Sequence, residues 1–149
     1  MQLEFSGKEE LNSEPAMVYR FLTSPQDLAK SIPDAEEVNV ISKDEIQAKV
    51  KVKIAVISST LKVRMKIISN QQDNVNVVAS SSGAGSKVEI STKFKLIPKQ
   101  NGTSVEWRAD AKLSGLIAGL GSSTLKVFAE RYIRQVVENI HRLLDSNQA

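Results

Sequence analysis

LIAGLGSSTLKVFAERYIRQVVENIHRLLDS, residues 116–146, decides the fold. Leu125, Phe128, Ala129, Tyr132, Ile133, Val136, Val137, Ile140, Leu143 and Leu144 recur at three- and four-residue steps. That period places side chains on one side of an α-helix. The other side carries Lys126, Glu130, Arg134, Gln135, Glu138, Asn139 and Arg142. Glu130/Arg134 and Glu138/Arg142 are i,i+4 pairs with the acid first, each worth a few tenths of a kcal/mol. One long amphipathic helix is predicted from Leu116 to Ser146, about 45 Å long at ~1.5 Å per residue. Such a helix needs a wide apolar surface to lie on.

The preceding residues supply that surface. Residues 2–11 alternate loosely, with Leu3 and Phe5 on one face of a first strand. Helix signals follow: Ser13 or Glu14 as a cap, Pro15 in the first turn, then the stripe Met17, Val18, Phe21 and Leu22. Ser24-Pro25-Gln26-Asp27 repeats them as a capping box, and Pro33 ends that second short helix. From Ala35 the period becomes two. Val38 and Val40 begin a strand, and Lys43-Asp44 turns into a longer one with Ile46, Ala48, Val50, Val52, Ile54 and Val56 inward. After a turn at Ser58-Ser59 come Leu61, Val63, Met65 and Ile67, then, past Gln71-Gln72-Asp73-Asn74, Val75, Val77 and Ala79. Gly83-Ala84-Gly85 leads to Val88, Ile90, Thr92, Phe94 and Leu96, and Asn101-Gly102 leads to Val105, Trp107, Ala109, Ala111 and Leu113. Alternation implies strands buried on one face only. The expected fold is α+β: a seven-stranded curved antiparallel sheet wrapped around a long C-terminal helix, with two short helices between strands 1 and 2. A helix ~10 Å across cannot fill a deeply curved sheet, so this helix-grip arrangement implies a cavity.

Composition narrows the chemistry. A chain of 149 residues is expected to form one domain, 1–149. It has no cysteine, which excludes disulfides, thiolate metal sites and cysteine nucleophiles. The net charge of +3 is too small to argue for nucleic acid. With no basic, apolar leader and no apolar run long enough to span a bilayer, a soluble cytoplasmic protein is expected, with peripheral contact at the inner face of the membrane as its route to lipid.

Three stretches resemble a known family: Ser24-Pro25-Gln26-Asp27-Leu28 through Ile32-Pro33-Asp34-Ala35-Glu36 and Val38; Gly83-Ala84-Gly85; and Val105-Glu106-Trp107 with Gly115-Leu116-Ile117-Ala118-Gly119-Leu120-Gly121. They are similar to CoxG, a family of carbon monoxide dehydrogenase subunits within the START-like, or SRPBCC, superfamily. The resemblance covers nearly the whole chain. It departs at Asp34, where Ile-Pro-Gly would be expected; Asp also accepts turn geometry. Some members carry an apolar anchoring tail, whereas this chain stops after its helix. The resemblance implies a cavity for a hydrophobic molecule, lipid or quinone-like. It also implies a role beside a membrane-associated redox enzyme of the molybdenum-hydroxylase type, and it implies no catalytic motif.

The ligand-binding wall is expected to comprise Leu28, Ile32, Val52, Ile54, Met65, Val77, Thr92, Phe94, Trp107, Leu116, Ile117, Leu120, Phe128, Tyr132 and Val136. Tyr132 and Thr92 either orient a head group or have locally satisfied hydroxyls. Gly119 and Gly121 either pack the helix start closely on the sheet or form a gate. His141, the only histidine, is expected to meet Asp145 at i,i+4 and to be structural. No cofactor or metal site is expected, and no acid/base constellation for an enzyme. On the outer face, Lys49, Lys51, Lys53, Lys62, Arg64 and Lys66 share one phase, and no acid occurs from Ile46 to Gln72. They either protect exposed strands or dock on anionic lipid or an acidic patch of a partner enzyme. Nucleic acid is not expected as partner, because Trp107 has the opposite phase and no aromatic residue interrupts the basic run. A carrier of an apolar molecule and an assembly factor acting by protein contact are the two functions in play.

Overall fold

In the computed structural model the described residues are 1–71, 73–83 and 85–147, with only the backbone described at 69, 70 and 147. Gln72 and Ala84, each expected in a turn, and the terminal residues 148 and 149 lie outside them. The order is β1 (Gln2–Leu11), α1 (Pro15–Leu22), α2 (Pro25–Ser31), β2 (Ala35–Ser42), β3 (Glu45–Ile54), β4 (Ile57–Gln71), β5 (Asn74–Gly83), β6 (Ser86–Lys99), β7 (Gly102–Gly115), a 3-10 turn (Ile117–Leu120) and α3 (Ser122–Asn147). The strands form one antiparallel sheet in the order β1-β7-β6-β5-β4-β3-β2. This is the helix-grip fold, with β1 closing onto the last strand.

Local chemistry explains most boundaries. The Ser24 side chain accepts from the Asp27 N–H at 3.3 Å, and Pro25 opens α2. Glu14 occupies the cap position of α1 without a side-chain bond. Asp34 sits at φ 59, in the left-handed region that glycine or a short acid tolerates. That is the physical reason why an aspartate can stand where Ile-Pro-Gly was expected.

Three expectations are corrected. The β3–β4 turn is Ala55-Val56, not Ser58-Ser59: Ile54 pairs with Ile57, and Ala55 takes φ 52. Val56 therefore leaves the inward row and is 94% exposed. β2 is not half-buried, because it is the far edge strand and is broken by register shifts, leaving Val38, Val40 and Ile41 exposed. Finally, the C-terminal helix does not start at Leu116. The chain makes a 3-10 turn, breaks at Gly121 with φ 88, and begins α3 at Ser122. Neither i,i+4 pair on α3 closes; Arg142 instead donates to Asn139 Oδ1 at 3.2 Å.

The core is divided in two. At one end Leu11, Val18, Phe21, Leu22, Leu28 and Leu144 pack with the sheet; at the other, Leu3, Ile54, Leu113, Ile117 and Leu125 do. α3 is thus pinned near its ends by Leu125 and Leu144, 3% and 1% exposed. Between them Phe128, Ala129, Tyr132, Ile133, Val136 and Val137 are only half-buried. Two hydrogen bonds tie α3 to α2 and its exit: Asn139 Nδ2 to the Ser31 carbonyl at 3.0 Å, and the Tyr132 hydroxyl to the Pro33 carbonyl at 3.3 Å.

Candidate functional site

A cavity of about 400 Å³ separates the two core clusters. The inner faces of β1 and β3–β7 form one wall and the half-buried middle of α3 the other. Alternation on the strands and the three- and four-residue period on the helix both deliver carbon to it. Leu28, Ile32, Val52, Ile54, Met65, Val77, Thr92, Phe94, Trp107, Ile117, Phe128, Tyr132 and Val136 lie in this wall together. Leu116 and Leu120 do not. Leu116, the cap of the 3-10 turn, is 65% exposed, and Leu120, its last residue, packs beside the Ile117–Leu125 cluster; neither belongs to α3.

Polar groups in the wall are few: Glu9, Ser31, Ser80, Ser81, Thr92, Trp107, Tyr132 and His141. Tyr132 has its hydroxyl committed to the Pro33 carbonyl and its ring stacked on Phe128 at 5.7 Å. Burial pushes its phenol up to about 12, with the charge of Asp34 adding to the shift. It therefore offers the cavity a ring face. The Ser31 hydroxyl is bound to the Leu28 carbonyl at 2.6 Å. Ser81 Oγ is the buried side-chain polar atom without a partner among the described residues.

His141 does not sit as expected. It lines the cavity, and its Nε2 stands 4.0 Å from Glu9 Oε1 rather than facing Asp145. Glu9 Oε2 accepts from Trp107 Nε1 at 3.4 Å. Glu9 escaped the sequence reading because it is charged, although it keeps the inward phase of Leu3, Phe5 and Leu11. That phase was the available signal. Among the described residues no group of three or more His, Cys, Asp or Glu could hold a metal ion.

The glycines at the helix start do not serve close packing. A Cβ at Gly119 or Gly121 would have no atom within 4 Å. On the outer face the basic residues are partly neutralised. Lys49 pairs with Glu37 at 2.8 Å, Lys51 with Glu36 at 3.1 Å and Arg64 with Glu45 at 2.8 Å. The Lys49–Glu37 hydrogen bond and attraction lower the acid's pKa and raise the lysine's. The acids come from β2 and the start of β3, outside the acid-free stretch. No helix among the described residues is long and apolar enough to cross a membrane.

Residues 7–145 match the model of the CoxG family, described as a subunit of carbon monoxide dehydrogenase. The chain belongs to the CoxG family. No curated protein matches it. Among solved structures, this CoxG chain is similar to a conserved protein from Geobacillus kaustophilus, at 18% identity and TM-score 0.85, covering 97% of this chain and 96% of that one. The ZhuI aromatase/cyclase from Streptomyces sp. R1128 is similar at 11% identity and TM-score 0.71, with 100% and 97% covered. A START superfamily protein from Mycobacterium smegmatis is similar at 9% identity and TM-score 0.67, with 96% and 97% covered. At these identities the likeness concerns the fold. CoxG membership and a shared helix-grip fold are what these likenesses establish.

Proposed function

We propose that the protein binds, without chemical conversion, a hydrophobic small molecule, lipid or quinone-like, and carries it to or from a membrane-associated redox enzyme. The observation that carries this reading is the cavity, whose wall is carbon almost throughout and suits a flexible apolar chain. The family description supports an oxidoreductase of the carbon monoxide dehydrogenase type as the partner. Native mass spectrometry of the purified protein is expected to find an apolar compound bound at one copy per chain. Repeated isolation of empty protein that exposure to lipid extract does not fill would sink the carrier reading.

A second reading, assembly of a molybdenum hydroxylase through protein contact, is favoured by the free edge of β2. Val38, Val40 and Ile41 are exposed there on a strand with an unpaired side. In that case the same spectra would show a large oxidoreductase copurifying with an empty cavity.

Delivery needs a membrane-facing end. The β3–β4 and β5–β6 turns, the end of β7 and the 3-10 turn lie at one end of the sheet. Val56 and Leu116 are exposed there, with Gly119 and Gly121 beside them. Lys53 and Lys62 have no carboxylate partner among the described residues, and Lys66 stands opposite Glu45 in register. In our reading this end touches anionic lipid, each basic residue adding up to ~1 kcal/mol, and the glycine-bearing turn opens the cavity. Uptake of a fluorescent apolar probe from vesicles checks both points. Lys53→Glu with Lys62→Glu is expected to slow uptake about tenfold from anionic but not neutral vesicles. Gly119→Ala with Gly121→Ala should slow it from both. Unchanged rates in the first variant remove the docking role; unchanged rates in the second remove the gate.

A further inference from the structure

One charged side chain interrupts the inner face of β1. Leu3, Phe5, Gly7, Glu9 and Leu11 share that face, and an apolar residue at position 9 would simply continue the row. The Glu9 side chain keeps 30% of its surface exposed, so its carboxylate stands at the rim of the apolar wall, where the hydration it gives up is offset by fixed donors. The local construction supplies those donors. Gly7 leaves a gap that the Trp107 ring fills: a Cβ at Gly7 would lie 2.7 Å from Trp107 Cζ2. Seated on that glycine, the indole donates from Nε1 to Glu9 Oε2 at 3.4 Å. From the opposite wall, α3 brings the chain's only histidine to the other carboxylate oxygen, 4.0 Å away. All three residues line the cavity.

The 4.0 Å gap between His141 Nε2 and Glu9 Oε1 is too wide for a hydrogen bond. An oxygen set to one side of the line joining them reaches both at an ordinary hydrogen-bond distance of about 2.8 Å. The bridging group must donate to the carboxylate and accept from the imidazole N–H, which a hydroxyl does. A carbonyl accepts but cannot donate. A fatty carboxylate or a phosphate ester meets the charge of Glu9 and, when ionised, has no proton to give it.

We propose that Glu9, His141 and Trp107 form a head-group site that selects uncharged apolar molecules ending in a hydroxyl, such as long-chain alcohols, isoprenoid alcohols or phenols, over carboxylates of equal length. This rests on the carrier reading of the cavity. The site lies at the α1-and-α2 end of the cavity, away from the turn that bears Val56: Glu9 is two residues from Leu11, and His141 three from Leu144. A ligand held there points its chain toward Ile54 and Leu125.

The test compares dodecanol with dodecanoate at neutral pH, each displacing the uncharged dye Nile red. Fluorescence of Trp107, the only tryptophan, gives a second readout in the wild type. Dodecanol is expected to bind at least about tenfold more tightly, the size of a charge-assisted hydrogen bond. Glu9→Gln should bring the two ligands within about threefold of each other. His141→Leu, which keeps an apolar packing surface, should weaken dodecanol alone and decides the matter if Glu9→Gln does not fold. Equal affinities in the wild type, or a preference that survives both substitutions, would overturn the head-group site and leave the carrier reading standing. Failure of both compounds to displace the dye would overturn both.

Discussion

Replacing Ala129 by tryptophan is expected to abolish binding of apolar ligands while leaving the protein at least as stable as before. Ala129 lies midway along α3, half-buried, and its methyl faces the cavity. The anchors Leu125 and Leu144 are untouched by the change. An indole at position 129 would enter space the fold leaves unfilled, so it need not push against packed atoms. Filling a cavity commonly adds ~0.5–2 kcal/mol of stability, while apolar-probe affinity should fall about a hundredfold or more as the ligand loses its contacts. Dye titration and urea denaturation measure the two effects separately. Unchanged affinity would place the ligand elsewhere, and a marked loss of stability would mean that the space is not open to the helix.

Gly115→Ala should be far more damaging than the same change at either glycine of the helix start. Gly115 has φ +81, and a Cβ on it would collide with the Gly85 carbonyl oxygen and stand 3.0 Å from the Gly85 carbonyl carbon. Those are backbone atoms of the β5–β6 turn, and the same carbonyl accepts the Leu116 N–H at 3.1 Å. No rotamer change relieves such a contact. The strand end and the turn must separate, with left-handed backbone strain added. A loss of about 3 kcal/mol, or ~10 °C in Tm, is expected. Gly119→Ala is the matched control, since its Cβ meets open space; its stability should stay within about 1 kcal/mol of the wild type. A Gly115→Ala protein that melts with the wild type would refute the close approach.

These two glycines also mark where the sequence is legible. Alternating residues and helix caps are local signals, and they placed the sheet, both short helices and most of the cavity wall. The local signal fails where tertiary structure overrides it. Ala55-Val56 makes a two-residue turn without the glycine or asparagine that usually announces one, so in the sequence the apolar alternation runs straight through it. Val38 and Val40 have strand chemistry, and only their place at the sheet edge exposes them. Leu116 and Leu120 fit a helical period that the break at Gly121 interrupts. The three members of the polar site come from β1, β7 and α3, and no spacing in the chain connects them. Only the closure of β1 onto β7 puts Glu9 beside Trp107.

The divided core has a further consequence. Because the apolar clusters at the two ends meet only across the cavity, a bound molecule would act as the keystone between them, touching groups that otherwise face a void. Its binding free energy would then enter the folding equilibrium directly, as RT ln(1 + [L]/Kd). Loaded and unloaded copies would differ in lifetime as well as in content, with the empty ones first exposed to unfolding and proteolysis. If the carrier reading holds, the amount of this protein in a cell would follow the supply of its ligand.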